Sequence, residues 1–77
     1  MAFEKLRELL RLDNALTEAE ARKRHYEARA AEITNRRHMD EGLRRRLIVR
    51  LEQDIYESES EINDLRGRLA ALREVPA

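Results

Sequence analysis

Six arginines gather around the midpoint of this sequence and offer its clearest chemistry. They are Arg36, Arg37, Arg44, Arg45, Arg46 and Arg50. A planar guanidinium group donates paired hydrogen bonds to a phosphate or a carboxylate, so the cluster is suited to a nucleic acid or an acidic protein surface. The alternative is ordinary solvated charge, and no aromatic side chain accompanies the cluster as in many nucleic-acid binders. These six residues are the predicted contacts with a partner or nucleic acid.

The charge of the chain is segregated, although 16 basic and 16 acidic residues cancel to a formal net charge of zero. Residues 22–50 hold ten basic and four acidic side chains, a balance of +6. Residues 51–66 hold six acids and one arginine, a balance of −5. A molecule-wide basic field is therefore excluded, and any attraction for nucleic acid must be local to the arginines.

Residue types that catalyse reactions or bind metals are sparse. The only histidines are His25 and His38, there is no cysteine, and neither histidine has a second ligand at metal-binding spacing. Glu57, Glu59 and Glu61 alternate along the chain, so on a helix they spread around the axis. No phosphate loop, nucleophile motif or motif of a known family is present. We expect no enzyme activity, no cofactor, no metal and no small-molecule substrate.

Apolar residues recur at alternating steps of three and four in both halves of the chain. The first stripe is Leu9, Leu12, Leu16, Ala19, Lys23, Tyr26, Ala30, Ile33 and Arg37; the second is Arg44, Ile48, Leu51, Ile55, Ser58, Ile62, Leu65, Leu69 and Leu72. Read in opposite directions, paired members have numbers that sum to 81, as in Leu12 with Leu69. The pattern predicts an all-α fold, in which two long antiparallel helices form a coiled-coil helical hairpin. We call the contact between the stripes the seam.

The predicted boundaries divide one domain, residues 1–77, into two arms. Helix one covers about residues 3–37, the turn about 38–41 and helix two about 41–74, where Val75-Pro76 should stop it. An alternative is a separate short helix over residues 3–12, because Thr17-Glu18-Ala19-Glu20 has the form of a capping box. Continuity is favoured, since the apolar stripe stays in phase across Thr17.

The sequence around the turn contains three local signals. Asp40 is the predicted N-cap of helix two, Gly42 fits a tight corner, and Met39 can pack on Leu43 across the helix start. Nearer the middle, Lys23 and Ser58 form one polar layer of the seam, in which Lys23 should extend toward an acid of helix two.

Charges beside the seam predict further contacts. Arg22 should meet Glu61 and Arg29 should meet Asp54 on one flank. The other flank should be acidic, because it brings together Glu20, Glu27, Glu52 and Glu59.

Burial along a single seam is thin, so association with another copy or another protein is expected. Apolar residues outside the seam are the predicted self-association contacts: Phe3, Leu6, Leu10, Leu43 and Leu47. Dimerisation into a four-helix bundle would cover them.

The function hypothesis is a non-enzymatic protein–protein interaction module. It would be a self-associating hairpin that acts as a small regulator, inhibitor or adaptor of a larger complex. The first alternative is RNA or DNA binding through the arginine-rich turn, and the second is a structural assembly component. No apolar run is long enough for a membrane span or a signal peptide, so a cytoplasmic location is expected.

Overall fold

A computed structural model describes residues 2–74, which form two helices joined by a short turn. Helix α1 spans Ala2–Thr34 and helix α2 spans Glu41–Glu74. They pack along their lengths into a rod of 58 × 14 × 12 Å, and no strand occurs within the described part. The predicted all-α helical hairpin is confirmed. Val75-Pro76, the predicted stop of helix two, lies outside the described residues.

Helix α1 is continuous through Thr17, so residues 3–12 are not a separate helix. The hydroxyl of Thr17 donates to the carbonyl of Asp13 at 3.0 Å, one turn back within the helix, and so does not act as an N-cap.

The end of helix α1 lies three residues before the predicted one. Beyond Thr34, the Asn35 amide donates to the Ala31 carbonyl at 3.1 Å, and the Arg36 amide donates to Ile33 at 3.2 Å. The second bond spans three residues and tightens the last turn. Residues 35–40 then reverse the chain.

The seam contains the predicted residues. Every member of the two stripes is buried or half-buried except Arg37. The main core is a cluster of Leu12, Ala19, Ile62, Leu65 and Leu69, with Leu9, Ala15, Leu16 and Leu72 packed against it. The predicted pairs are found together there, including Leu12 with Leu69 and Ala19 with Ile62.

The polar layer of the seam forms as expected. Ser58 is 5% exposed and its hydroxyl donates to the Asp54 carbonyl at 2.9 Å. Lys23 extends to the rim, where its Nζ lies 3.5 Å from Glu59 Oε1. The lysine stem covers the seam while its charge stays at the surface.

One of the two predicted cross-helix ion pairs is present. Arg22 Nη2 contacts Glu61 Oε2 at 2.8 Å, but Arg29 does not meet Asp54. Arg29 pairs with Glu32 at 3.6 Å, and Asp54 pairs with Arg50 at 3.6 Å. Both replacements lie within one helix, where the partner is already held one turn away.

Neither helix, over the residues that the structure describes, has an apolar stretch of the length needed to cross a membrane.

Candidate functional site

The turn is built around Asp40, which caps helix α2 as predicted. Its Oδ2 accepts a hydrogen bond from the Leu43 amide at 3.0 Å, and its carbonyl accepts one from the Arg44 amide at 2.9 Å. The side chain thereby satisfies an amide that the first helical turn leaves without a partner.

Gly42 does not form a tight corner of the turn; its small size instead accommodates the N-cap of α2. It lies inside the first turn of α2, and no glycine among the described residues has a positive φ. A Cβ at this position would lie 3.2 Å from Asp40 Oδ2. The small residue therefore leaves room for the capping carboxylate.

Arg44 ties the two helix ends together. Its side chain is 23% exposed, and its Nη1 contacts Glu41 Oε1 at 2.9 Å. Its Nη2 donates to the carbonyl of Arg36, beyond the end of α1. Its Nε is buried without a hydrogen-bond partner among the described residues. The guanidinium is thus occupied within the turn, and Arg44 is not an available contact for a partner.

The other five arginines divide into two groups. Arg36 pairs with Glu32 at 3.2 Å and Arg50 pairs with Asp54 at 3.6 Å, both on the surface. Arg37, Arg45 and Arg46 are exposed and have no ion-pair partner among residues 2–74. These three guanidinium groups can bind an external phosphate or carboxylate without first leaving an internal acid.

A shallow cavity of about 500 Å³ lies beside the turn, lined by residues 36–40 and Leu43. Met39 is half-buried, whereas Leu43 remains 43% exposed. The predicted pair therefore covers the helix start only in part. The cavity is thus bordered both by apolar residues, Met39 and Leu43, and by the basic residues Arg36 and Arg37.

The predicted self-association residues differ in exposure. Phe3 is 68% exposed, Leu6 55% and Leu10 57%. Arg7 covers one face of Phe3, with its Cζ 5.2 Å from the ring centroid. Leu47 is half-buried, so much of its surface is already used within the hairpin. The largest uncovered apolar side chains of the set are thus at the open end of the rod.

The flank that was expected to be acidic carries both signs of charge. Arg66 Nη2 lies 3.3 Å from Glu20 Oε2, and Lys23 reaches Glu59. A groove of about 420 Å³ runs between these residues and also includes Arg24 and Glu27. The expectation was wrong because it left out Arg66, which continues the seven-residue spacing of Glu52 and Glu59, and Lys23, whose long side chain reaches the flank from the seam.

The histidines do not form a site. The rings of His25 and Tyr26 lie 6.0 Å apart on one helix. Within residues 2–74, no group of three or more His, Cys, Asp or Glu side chains is arranged to hold a metal ion.

Two features were missed by reasoning from the sequence. The structural role of Arg44 was signalled by its place in the seam stripe, which implies burial. Tyr56 is 71% exposed on α2. Its signal was the seven-residue spacing from Val49 outside the seam, which places both on one helical face.

Comparison of the chain with protein-family models, with curated proteins and with solved structures finds no match.

Proposed function

We propose that this protein is a non-enzymatic interaction module, a helical hairpin that self-associates and serves as a small regulator, inhibitor or adaptor of a larger complex. The observation that carries the proposal is the apolar group Phe3, Leu6 and Leu10, each more than half exposed at the open end. Soluble chains that leave neighbouring large apolar side chains uncovered commonly use them in an interface. The proposed location is the cytoplasm, a reducing compartment compatible with a chain that has no cysteine.

The surface area of the hairpin supports association. The chain exposes 6174 Å². A compact monomer of 9.1 kDa is expected to expose about 4,900 Å². The hairpin therefore exposes roughly 1,300 Å² more than a compact monomer. An interface of standard size buries about 800 Å² of surface on each partner. The surplus surface comes from the elongated shape of the rod, one side of which offers room for an interface of that size.

Sedimentation equilibrium tests self-association directly. The wild-type chain should approach twice its 9.1 kDa mass as its concentration rises, with a parallel gain in helicity. The double variant Leu6→Lys with Leu10→Lys should remain monomeric at the same concentrations. Val49→Lys is the matched control, because Val49 and Leu10 are both 57% exposed.

Two results would contradict the proposal. If the wild-type chain stays a fully helical monomer at all concentrations, the self-association proposal is wrong. Open-ended polymers that bind nothing else would favour the structural assembly component instead.

Nucleic-acid binding is a second candidate, favoured by Arg37, Arg45 and Arg46, which have no acid partner in the described part of the chain. Each phosphate contact contributes close to one unit to the slope of log affinity against log salt. Replacing all three with glutamine should flatten that slope by about 2 to 3. The control replaces Arg66, Arg68 and Arg73 with glutamine, which removes the same charge near the open end. Equal binding by the two triple variants would exclude the turn as the contact.

A further inference from the structure

Helix α1 has a second face, turned away from the seam, whose apolar residues are all exposed. They lie three, four, seven or eleven residues apart, spacings that keep them on one side of the helix: Phe3, Leu6, Leu10, Ala21, Ala28 and Ala31. We propose that a second copy of this chain packs on this face in the antiparallel direction, with a two-fold axis near residue 19. This inference rests on the proposed self-association and adds its surface and its orientation.

The sizes of the side chains on this face favour an antiparallel partner. The large residues lie in the first three turns, and the alanines lie in the second half of the helix. An antiparallel copy places Leu10 against Ala28 of the second copy and Leu6 against Ala31 of the second copy. Large then meets small at both ends, so the two helix axes keep one spacing. A parallel copy would set leucine against leucine at one end and alanine against alanine at the other, which forces the axes apart.

Two unpaired charged residues on the same flank of this face also favour an antiparallel partner. Asp13 and Arg24 are exposed, and neither side chain has an ion-pair partner within residues 2–74. They are eleven residues apart, or three helical turns, so they lie on one side of the face. With the axis near residue 19, Asp13 of each copy lies beside Arg24 of the other. In a parallel pair the equivalent flanks lie on opposite sides of the interface, so this contact would not form.

Single-cysteine variants test the orientation, because the natural chain has no cysteine. Chains carrying Leu10→Cys are mixed with chains carrying Ala28→Cys and oxidised. The expected product is the mixed disulfide, formed at least about tenfold faster than the Leu10→Cys homodimer, as geometry permits only the close pair. Predominance of the homodimer would overturn the antiparallel arrangement.

A second variant tests whether the alanine half of the face is buried in the dimer. Ala28→Glu should weaken dimerisation about 10- to 100-fold in sedimentation, through overpacking and an unpaired buried charge. Ala70→Glu, at an exposed alanine on α2, should leave the dimer unchanged. If Leu6→Lys with Leu10→Lys abolishes the dimer but Ala28→Glu does not, self-association stands and this interface is wrong. If the wild type is a monomer, both proposals fail.

Discussion

The two halves of the hairpin are held together by different forces. Toward the open end, five buried apolar residues form one continuous cluster, Leu12, Ala19, Ile62, Leu65 and Leu69. Toward the turn, Ile33 is the one buried apolar residue among those described. There, Asp40 caps α2 by accepting a hydrogen bond from the Leu43 amide, and Arg44 donates one to the Arg36 carbonyl beyond the end of α1. Apolar packing of this kind is lost only by separating the helices, whereas exposed polar contacts open locally. The half that carries the free arginines is therefore the half that should open more readily.

The strongest way to test this difference is to remove apolar volume from each half in turn. Leu69→Ala should lower the free energy of unfolding by about 2 to 4 kcal/mol, since Leu69 is 4% exposed within the core cluster. Leu51→Ala is the matched change in the turn half, where the leucine is only half-buried. It should cost about 1 to 2 kcal/mol. Urea unfolding monitored by circular dichroism measures both, and equal losses would contradict the comparison.

Arg44→Ala should have the next largest effect. It removes the contact with the Arg36 carbonyl and the ion pair with Glu41, at a cost of about 1 to 2 kcal/mol. Amide exchange should accelerate at the end of α1, around residues 31–36, and not in the core cluster. Arg45→Ala is the control, because an exposed arginine without an internal partner should change stability by less than about 0.5 kcal/mol. Identical exchange in the two variants would show that Arg44 does not hold the turn.

Asp40→Ala should have the third largest effect. It should lower the free energy of unfolding by about 1 kcal/mol, because the Leu43 amide loses its hydrogen-bond acceptor. Asp40→Asn keeps an oxygen acceptor and should recover most of that loss. Thermal melts of the wild type, Asp40→Ala and Asp40→Asn rank their stabilities. An Asp40→Asn variant no more stable than Asp40→Ala would contradict the capping role of Asp40.

The smallest effect concerns acid stability at the open end. The hydrogen bond from Arg11, aided by the charges of Arg11 and Arg68, lowers the pKa of Glu8 from its usual 4.5. A lowered pKa stabilises the folded state above the unfolded pKa, and this stabilisation is lost as pH falls through the folded pKa. Glu8→Gln should therefore flatten the pH dependence of stability below about pH 4.5, by a small amount because both side chains are exposed. An NMR titration that places the Glu8 pKa at or above 4.5 would contradict this.

The seam was predictable almost residue by residue, and the contacts of long charged side chains were predictable only in part. Leu12 with Leu69 follows from periodicity. The predicted ion pair between Arg22 and Glu61 is present, but Arg29 pairs with Glu32 in its own helix. Long side chains have several partners within reach that differ by only a few tenths of a kcal/mol, so spacing alone does not select among them.

The candidate site at the turn was predicted as a group of six arginines and is smaller in the folded chain. Only Arg37, Arg45 and Arg46 remain without an acid among the residues described. Charge and position were evident in the sequence, but the occupation of Arg44 depends on where the last carbonyls of α1 lie after the chain reverses.

By itself, the sequence determined the number of helices, their antiparallel arrangement and the residues that pack in the seam between them. The helices and the seam residues follow from the repeat of apolar side chains within each half, and the antiparallel direction follows from the short connection between the halves. Only the tertiary structure decided where α1 ends, which arginines remain available, and that the groove beside the seam has mixed charge. Each of these depends on groups distant in sequence that come within a few ångströms of one another, and no local pattern records those distances.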